Sequence, residues 1–370
     1  MLRYCPYCLE KFSKKDLGFK CVTSGKVFSS DVWKSWKKQG QLPICPGGYN
    51  ESGCSGCKGK ALSQRVCGKC EHELSNLMVK NDNLQISIVG TQSAGKTIYI
   101  NMLLKTMRDR FGGAGFGKIF LPVQASEGDM VDAEINNMEH GLLPPGTTSV
   151  NVKPRLYQCG VGAHMDILTF FDGAGEDFAN EALQATLHRY VNVSDGIILL
   201  FDPTSIPAVN KKLRARSNIT SQLSRTTLEE ALRGASLTYQ RIQDWNRGWV
   251  ERFFKSKISI PCAVVFSKFD LVFSLFEQSG DVLKQSKNLD HGNRFDEKDS
   301  QTVSQEIRNW LEENGCGAFL REIESDFKSI RYFGVSSLGG APGTQENPKK
   351  YTPHRIADPL LWLMSKNGII

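Results

Sequence analysis

The sequence predicts a mixed α/β protein: a mostly parallel sheet with helices on both faces, preceded by a small metal-held module. Three observations carry that reading. A β-rich apolar run, Leu84 to Val89, enters a glycine-rich loop that opens a helical stretch. Four further apolar runs recur downstream, at 165–171, 195–203, 258–266 and 330–335. Eight of the 11 cysteines fall within the first 70 residues.

The 370 residues suffice for one large domain and a smaller module, read as residues 1–80 and 81–370. With 40% hydrophobic and 23% charged residues and a mean hydropathy of −0.31, the composition is that of a globular chain. The longest apolar runs, Gly196 to Phe201 and Pro359 to Met364, fall far short of the ~20 residues of a membrane helix. Met1-Leu2-Arg3-Tyr4-Cys5 shows no apolar core of a secretory signal, so a cytoplasmic location is expected. Residues 1–80 carry 14 Lys and Arg against 6 Asp and Glu, whereas the remainder has a formal charge of −1. The basic excess belongs to the cysteine-rich end.

That end contains three C-x2-C pairs, Cys5/Cys8, Cys54/Cys57 and Cys67/Cys70, together with Cys21 and Cys45. A C-x2-C knuckle aims two thiolates at one ion, and zinc takes four in a tetrahedron, so eight thiols fit two zinc sites. A disulfide framework would need an oxidising compartment, and an iron–sulfur or redox role is the third reading. Cys5/Cys8 with Cys67/Cys70 would tie the ends of the module into one ribbon. Cys54/Cys57 with Cys45 and Cys21 would form the second site. A cross-braced pairing is the alternative, and His72 is a spare ligand. Two zincs on eight thiolates lower the formal charge to about +4, which weakens a nucleic-acid reading. Trp33 and Trp36, on a candidate short helix at 31–38, are read as packing for a module with little core.

The strand at Leu84 runs into Gly90-Thr91-Gln92-Ser93-Ala94-Gly95-Lys96-Thr97, a full G-x4-G-K-[ST] match, then a helix from Thr97 and Ile98 to about Arg110. Strand, loop and helix in this order make a phosphate cradle. Backbone N–H groups wrap the β-phosphate at the helix start, the Lys96 ammonium neutralises β- and γ-oxygens, and the Thr97 hydroxyl ligates Mg2+.

The run 165–171 ends in Asp172-Gly173-Ala174-Gly175-Glu176. Asp172 is placed to hold Mg2+, and the Gly175 amide to sense the γ-phosphate. The strand at 258–266 ends in Ser267-Lys268-Phe269-Asp270. Asp270 can accept both N1–H and N2–H of guanine, a donor pair that adenine lacks, while the Lys268 stem packs over base and loop. The strand at 330–335 leads to Ser336-Ser337-Leu338, whose amides can meet guanine O6. A switch threonine that completes the Mg2+ shell should lie before Asp172. Leu142-Leu143-Pro144-Pro145-Gly146-Thr147-Thr148 offers Thr147 or Thr148, with an ordinary Pro-Gly turn as the competing reading.

Together these motifs resemble, over roughly residues 84–340, the GTPase core of the TRAFAC class of P-loop NTPases. SKFD stands for [N/T]KxD and V-S-S-L for the SAK loop. More narrowly, the cysteine-rich N-terminus, F-F-D-G-A-G-E, F-D-P, R-Y-F-G-V-S-S-L-G and Asp358 to Met364 resemble the bacterial double-GTPase families, small-GTPase-like proteins proposed to act in multi-gene, conflict-related systems. The resemblance implies GTP/GDP binding with Mg2+, a switch role, and a protein partner or GTPase-activating factor. Two departures stand out. Ser267 replaces the Asn that ties the base loop to the phosphate loop, which implies weaker guanine binding. Glu176 replaces a water-orienting Gln, and its charge repels the γ-phosphate, so slow intrinsic hydrolysis is expected. A catalytically weak scaffold, a nucleotide-gated nucleic-acid-binding zinc protein and an ATPase are the competing readings.

Segments 118–160, 203–256 and 271–300 exceed a minimal GTPase. The first should add a strand and a helix. The second holds helix-spaced apolar residues from Leu228 to Phe253 after a basic linker, Lys211 to Arg216. Residues 284–300 read as a loop, 302–314 as a helix stopped by Gly315, and 357–366 as a closing helix. Phe111 to Gly117 is glycine-rich without a following Lys-[ST] and reads as a connection; Arg155 and Arg189 read as surface residues.

Overall fold

A computed structural model describes residues 3–13, 16–21, 27–28, 63–75, 78–79, 83–90, 94–111, 117–144, 154–161, 164–172, 190–216, 257–290, 295–344 and 346–370. The chain divides into two compact units, residues 1–83 with 162–167, and 84–161 with 168–370. Among the described residues, no helix is long and apolar enough to cross a membrane.

The first unit is built from short antiparallel strands. β1 (Arg3–Tyr4) pairs with β2 (Lys11–Phe12). β3 (Leu17–Cys21) lies between β4 (Val27–Phe28) and β5 (Ser63–Cys67). Its described buried apolar side chains include Leu9, Phe12, Leu17, Val66, Leu74, Met78, Val79, Met165 and Ile167.

The second unit holds β6 (Asn83–Gly90) from Leu84 onward, α1 (Lys96–Arg110), β7 (Ile119–Pro122), α2 (Ala125–Glu139), β8 (Arg155–Val161) and β9 (His164–Asp172) from Leu168 onward. β10 (Gly196–Phe201), α3 (Pro207–Arg216), β11 (Cys262–Phe266), α4 (Glu297–Glu313), α5 (Gly317–Asp326), β12 (Ile330–Gly334) and α6 (Asp358–Lys366) follow. The seven-stranded sheet has the order β12-β11-β10-β6-β9-β8-β7. β6, β10, β11 and β12 run parallel, and β7 is antiparallel to β8. The chain starts at the central strand, runs to one edge, returns beside β6, then crosses to the other side. Order therefore reverses at β6, where ligands of open parallel sheets bind.

The parallel strands are apolar throughout because both faces are covered. Ile86, Ile88, Ile198, Leu200, Ala263 and Val265 face α1, α2 and α6, in a core with Tyr99, Leu103, Ile135 and Trp362. The alternate residues, Val89, Ile197, Leu199, Phe201, Val264 and Phe266, pack with Val209, Ile307, Trp310 and Phe319 of α3, α4 and α5.

Four expectations need correction. The strand expected over 258–266 begins at Cys262, because Pro261 has no N–H to donate; Ile258 forms only an isolated bridge to Phe327. The helix expected from 302 begins at Glu297, inside the segment read as loop, because the Asp296 side chain caps it by accepting from the Asp299 N–H at 2.9 Å. Lys211 to Arg216, read as a linker, belongs to α3, whose apolar Val209 and Leu213 dock on the core while Lys212 donates to Asn314 Oδ1 at 2.8 Å. Segment 118–160 carries a second strand, β8, besides the expected strand and helix. The candidate helices at 31–38 and 228–253, Gly112, Gly113 and Gly115 of the glycine-rich stretch, and Arg189 lie outside the described residues.

Candidate nucleotide site and candidate metal centre

Parallel pairing brings the ends of β6, β10, β11 and β12 to one edge of the sheet, and most of the predicted site residues follow these ends. Gly90 closes β6. A Cβ there would stand 2.6 Å from Leu200 O, so the approach of β6 to β10 requires glycine. Gly95 caps α1 in the left-handed region, φ 75°, without a side-chain cap, and the first turn of α1 contains no acidic residue. A helix start of this kind suits an anion. Lys96 is the first residue of α1, only 8% exposed, and its Nζ donates to Gly90 O at 3.1 Å. Ala94 is buried, whereas Thr97 and Ile98 are half-buried. Ser93 lies outside the described residues.

The residues expected to recognise a base come together. The Asp270 carboxylate accepts from Ser336 Oγ, and that same oxygen accepts from the Gly339 N–H at 2.9 Å. Asp270 is half-buried, and its Oδ2 has no hydrogen-bond partner among the described residues. Ser336 and His354 exchange two backbone hydrogen bonds, at 3.1 and 2.8 Å, and Thr352 N donates to Leu338 O at 3.3 Å. A strap, residues 352–358, thus braces the 336–338 loop. Ser337 is buried on it. Ser267 is buried too, and its hydroxyl donates to Phe201 O at 3.1 Å, which anchors the 267–270 loop to β10. Lys268, at φ 48°, directs Nζ to Asp202 Oδ2 at 2.8 Å.

Asp172 ends β9, the other neighbour of β6. Its side chain, and the whole of Thr147, Thr148, Gly175 and Glu176, lie outside the described residues. Arg155 donates to Asn101 Oδ1 at 2.6 Å and pairs with Glu134, so it ties α1 to α2 rather than lying unengaged on the surface.

In the first unit, Cys5, Cys8, Cys67 and Cys70 offer sulfurs that all lie within 4.8 Å of one another. Cys5 and Cys70 stand 3.7 Å apart, as do Cys8 and Cys67. Four sulfurs about 2.3 Å from a tetrahedral zinc would be roughly 3.8 Å apart, whereas a disulfide needs about 2.05 Å. The residues therefore fit zinc, and all four are free cysteines. The two knuckles repeat one pattern. Cys5 N donates to Glu10 O and Leu9 N to Cys5 O; Cys67 N donates to His72 O and Glu71 N to Cys67 O. Leu9 and Glu71 both take positive φ, 62° and 58°. Gly68 permits the second turn, since a Cβ there would meet Asp16 O at 2.1 Å. Burial pushes the Cys5 thiol up and Cys8 up to about 11 in the absence of a cation. Cys21 is described in backbone only, and Cys45, Cys54 and Cys57 lie outside the described residues, as does any second site they form. His72 stacks on Tyr7 at 4.5 Å.

Two residues that brace these loops were given no role by the sequence reading. Asp202 carried a signal, the turn-forming run Asp202-Pro203-Thr204-Ser205 directly after a strand. The strap residue Arg355 carried none.

No protein-family model matches the chain. Among curated proteins it is similar to the putative ESX-1 scaffolding and assembly protein SaeC of Mycolicibacterium smegmatis, with 23% identity over 343 residues, 84% of this chain and 82% of that protein. Among solved structures, the Arl6 BBS3 small GTPase from Trypanosoma brucei with bound GppNp matches at a TM-score of 0.30 and 12% identity, covering 77% of this chain and 98% of that one. Sup35 complexed with GDP matches at a TM-score of 0.28 and 12% identity, covering 74% of this chain and 42% of that one. At such TM-scores the likeness in shape is loose.

Proposed function

We propose that the chain is a Mg2+-dependent guanine-nucleotide-binding protein, a slow GTPase that acts as a switch within a multi-protein system. One observation carries the reading. Lys96 at the phosphate end, where strand order reverses, and Asp270 with Ser336 at the base end follow parallel strands at one edge of the sheet. Thr97, Asp172 and Thr147 or Thr148 would hold Mg2+, which supplies positive charge at the phosphate oxygens. Gly175 and Glu176 would attend the γ-phosphate and the attacking water, with slow turnover unless a partner intervenes. Zn2+ on Cys5, Cys8, Cys67 and Cys70 would hold the first unit together as a docking platform, and Cys21, Cys45, Cys54 and Cys57 would take a second zinc.

Calorimetric titration should show GTP and GDP bound with Mg2+, and ATP weaker by about a hundredfold or more, because Asp270 would face adenine without its donor pair. Equal affinity for ATP would sink the guanine reading. Lys96→Ala should abolish nucleotide binding and phosphate release together. Asp270→Asn should move preference from guanine to xanthine nucleotides, since the amide can donate where the carboxylate only accepts; unchanged preference would remove Asp270 from the site.

The similarity to a scaffolding and assembly protein favours a second reading, a nucleotide-binding scaffold without turnover. Phosphate release by the wild-type chain separates the two: a scaffold has none for Lys96→Ala to abolish.

A further inference from the structure

The base loop contains a charged contact that guanine recognition does not itself require. Asp202 directly follows β10 and is 1% exposed. Its Oδ1 accepts from the Thr204 N–H at 2.8 Å and the Thr204 hydroxyl at 2.7 Å. These two bonds fix the plane of the carboxylate and aim Oδ2 outward, where Lys268 Nζ stands 2.8 Å away. A buried carboxylate is costly unless paired, so Lys268 is bound to this partner more firmly than a surface lysine would be. Lys268 is also held from its backbone. Its φ of 48° lies in the left-handed region, between Ser267 N, which donates to Phe201 O at 2.8 Å, and Phe269 N, which donates to Val335 O at 3.0 Å. With both ends fixed, the four methylenes of Lys268 form a rigid bar from the loop after β11 to the loop after β10. A free lysine loses rotamer entropy when a ligand packs on it; this one has lost it already.

We propose that Asp202 is a positioning residue for nucleotide specificity: it holds the Lys268 stem as a preformed wall for the purine ring, and so sets affinity for the base rather than for the phosphates. This rests on the reading of residues 267–270 as the base loop.

The test is a double-mutant cycle on the full chain with Asp202→Asn, Lys268→Met and both together. Asn keeps an acceptor for Thr204 but loses the charge, and Met keeps most of the stem but loses the ammonium. Competition against a fluorescent GDP analogue would read the affinities of GDP and of base-free ribose 5-diphosphate. Each single variant should weaken GDP about tenfold, the double variant no more than either single, and ribose 5-diphosphate should move less than twofold. Additive losses, an unchanged GDP affinity, or equal weakening of both probes would overturn the proposal, the last by showing a merely structural role. Should Asp202→Asn fail to fold, Lys268→Arg and Lys268→Met carry the test: Arg keeps the ion pair and should retain GDP within threefold, whereas Met should not. A wild-type chain that binds no GDP overturns the base-loop reading and this proposal with it; a wild-type chain that binds GDP, with indifferent variants, overturns this proposal alone.

Discussion

A chelator should unfold the cysteine-rich unit while the α/β unit stays folded, if Cys5, Cys8, Cys67 and Cys70 hold zinc as proposed. The described strands of the first unit are two to five residues long, and the four sulfurs join its two knuckles across 59 and 65 positions of sequence. Metal binding in small zinc modules contributes about 10 kcal/mol or more, and that free energy is folding free energy. Hydrogen exchange should show amides of β3 and β5 losing protection on chelation, with those of β10 and β11 unchanged. Cys67→Ser should reproduce the loss without chelator. A unit that keeps its protection after the metal is gone would mean that the four sulfurs cluster for another reason.

Arg355→Met should destabilise the α/β unit by about 3–5 kcal/mol, the cost of leaving buried charge without its partner. All five guanidinium N–H donors are engaged. Nε donates to Lys284 O, Nη1 to Asp299 Oδ2 and Asp358 Oδ2, and Nη2 to Asp281 O and Asp299 Oδ1, over 2.8 to 3.1 Å. The side chain is 2% exposed, and Asp358 also accepts from Ser286 and Asn288. Removing the cation strands Asp358 in the interior and unpins three segments at once: the 281–288 loop, the start of α4 and the start of α6. Arg355→Lys keeps the charge but supplies at most three donors, so its loss should be intermediate. Urea unfolding measures both; a loss under about 1 kcal/mol for the Met variant would show that the network is not a structural hub.

The strap also explains what was legible in the sequence and what was not. The loop at 90–97 and the run Ser267 to Asp270 are contiguous, and a contiguous motif can be read because its geometry is set by its own backbone. Cys5/Cys8 and Cys67/Cys70 were legible as halves for the same reason, but their pairing stayed open between a ribbon and a cross-braced arrangement, and the four sulfurs that come together are those of the ribbon. Asp202 with Lys268 and Arg355 with Asp299 join residues 66 and 56 positions apart, and nothing local announces such a partner. The start of α4 was missed because its capping aspartate sits in a polar stretch whose composition reads as loop. α5 passed unnoticed because ten residues span too few turns for periodicity to stand out, although Phe319, Leu320 and Ile323 face the core.

The position of β6 has a consequence for synthesis. The ribosome delivers this strand, and the loop that follows it, long before either of its sheet neighbours, since β9 begins at His164 and β10 at Gly196. A nascent chain that has reached only α2 therefore holds the central strand with both hydrogen-bonding edges open and the face that later meets α3, α4 and α5 still bare, the condition in which chains aggregate. The sheet cannot grow outward from its middle as the chain emerges. It has to close around β6 late, through pairings distant in sequence, so folding of this unit should be slow and dependent on whatever shields that strand in the meantime.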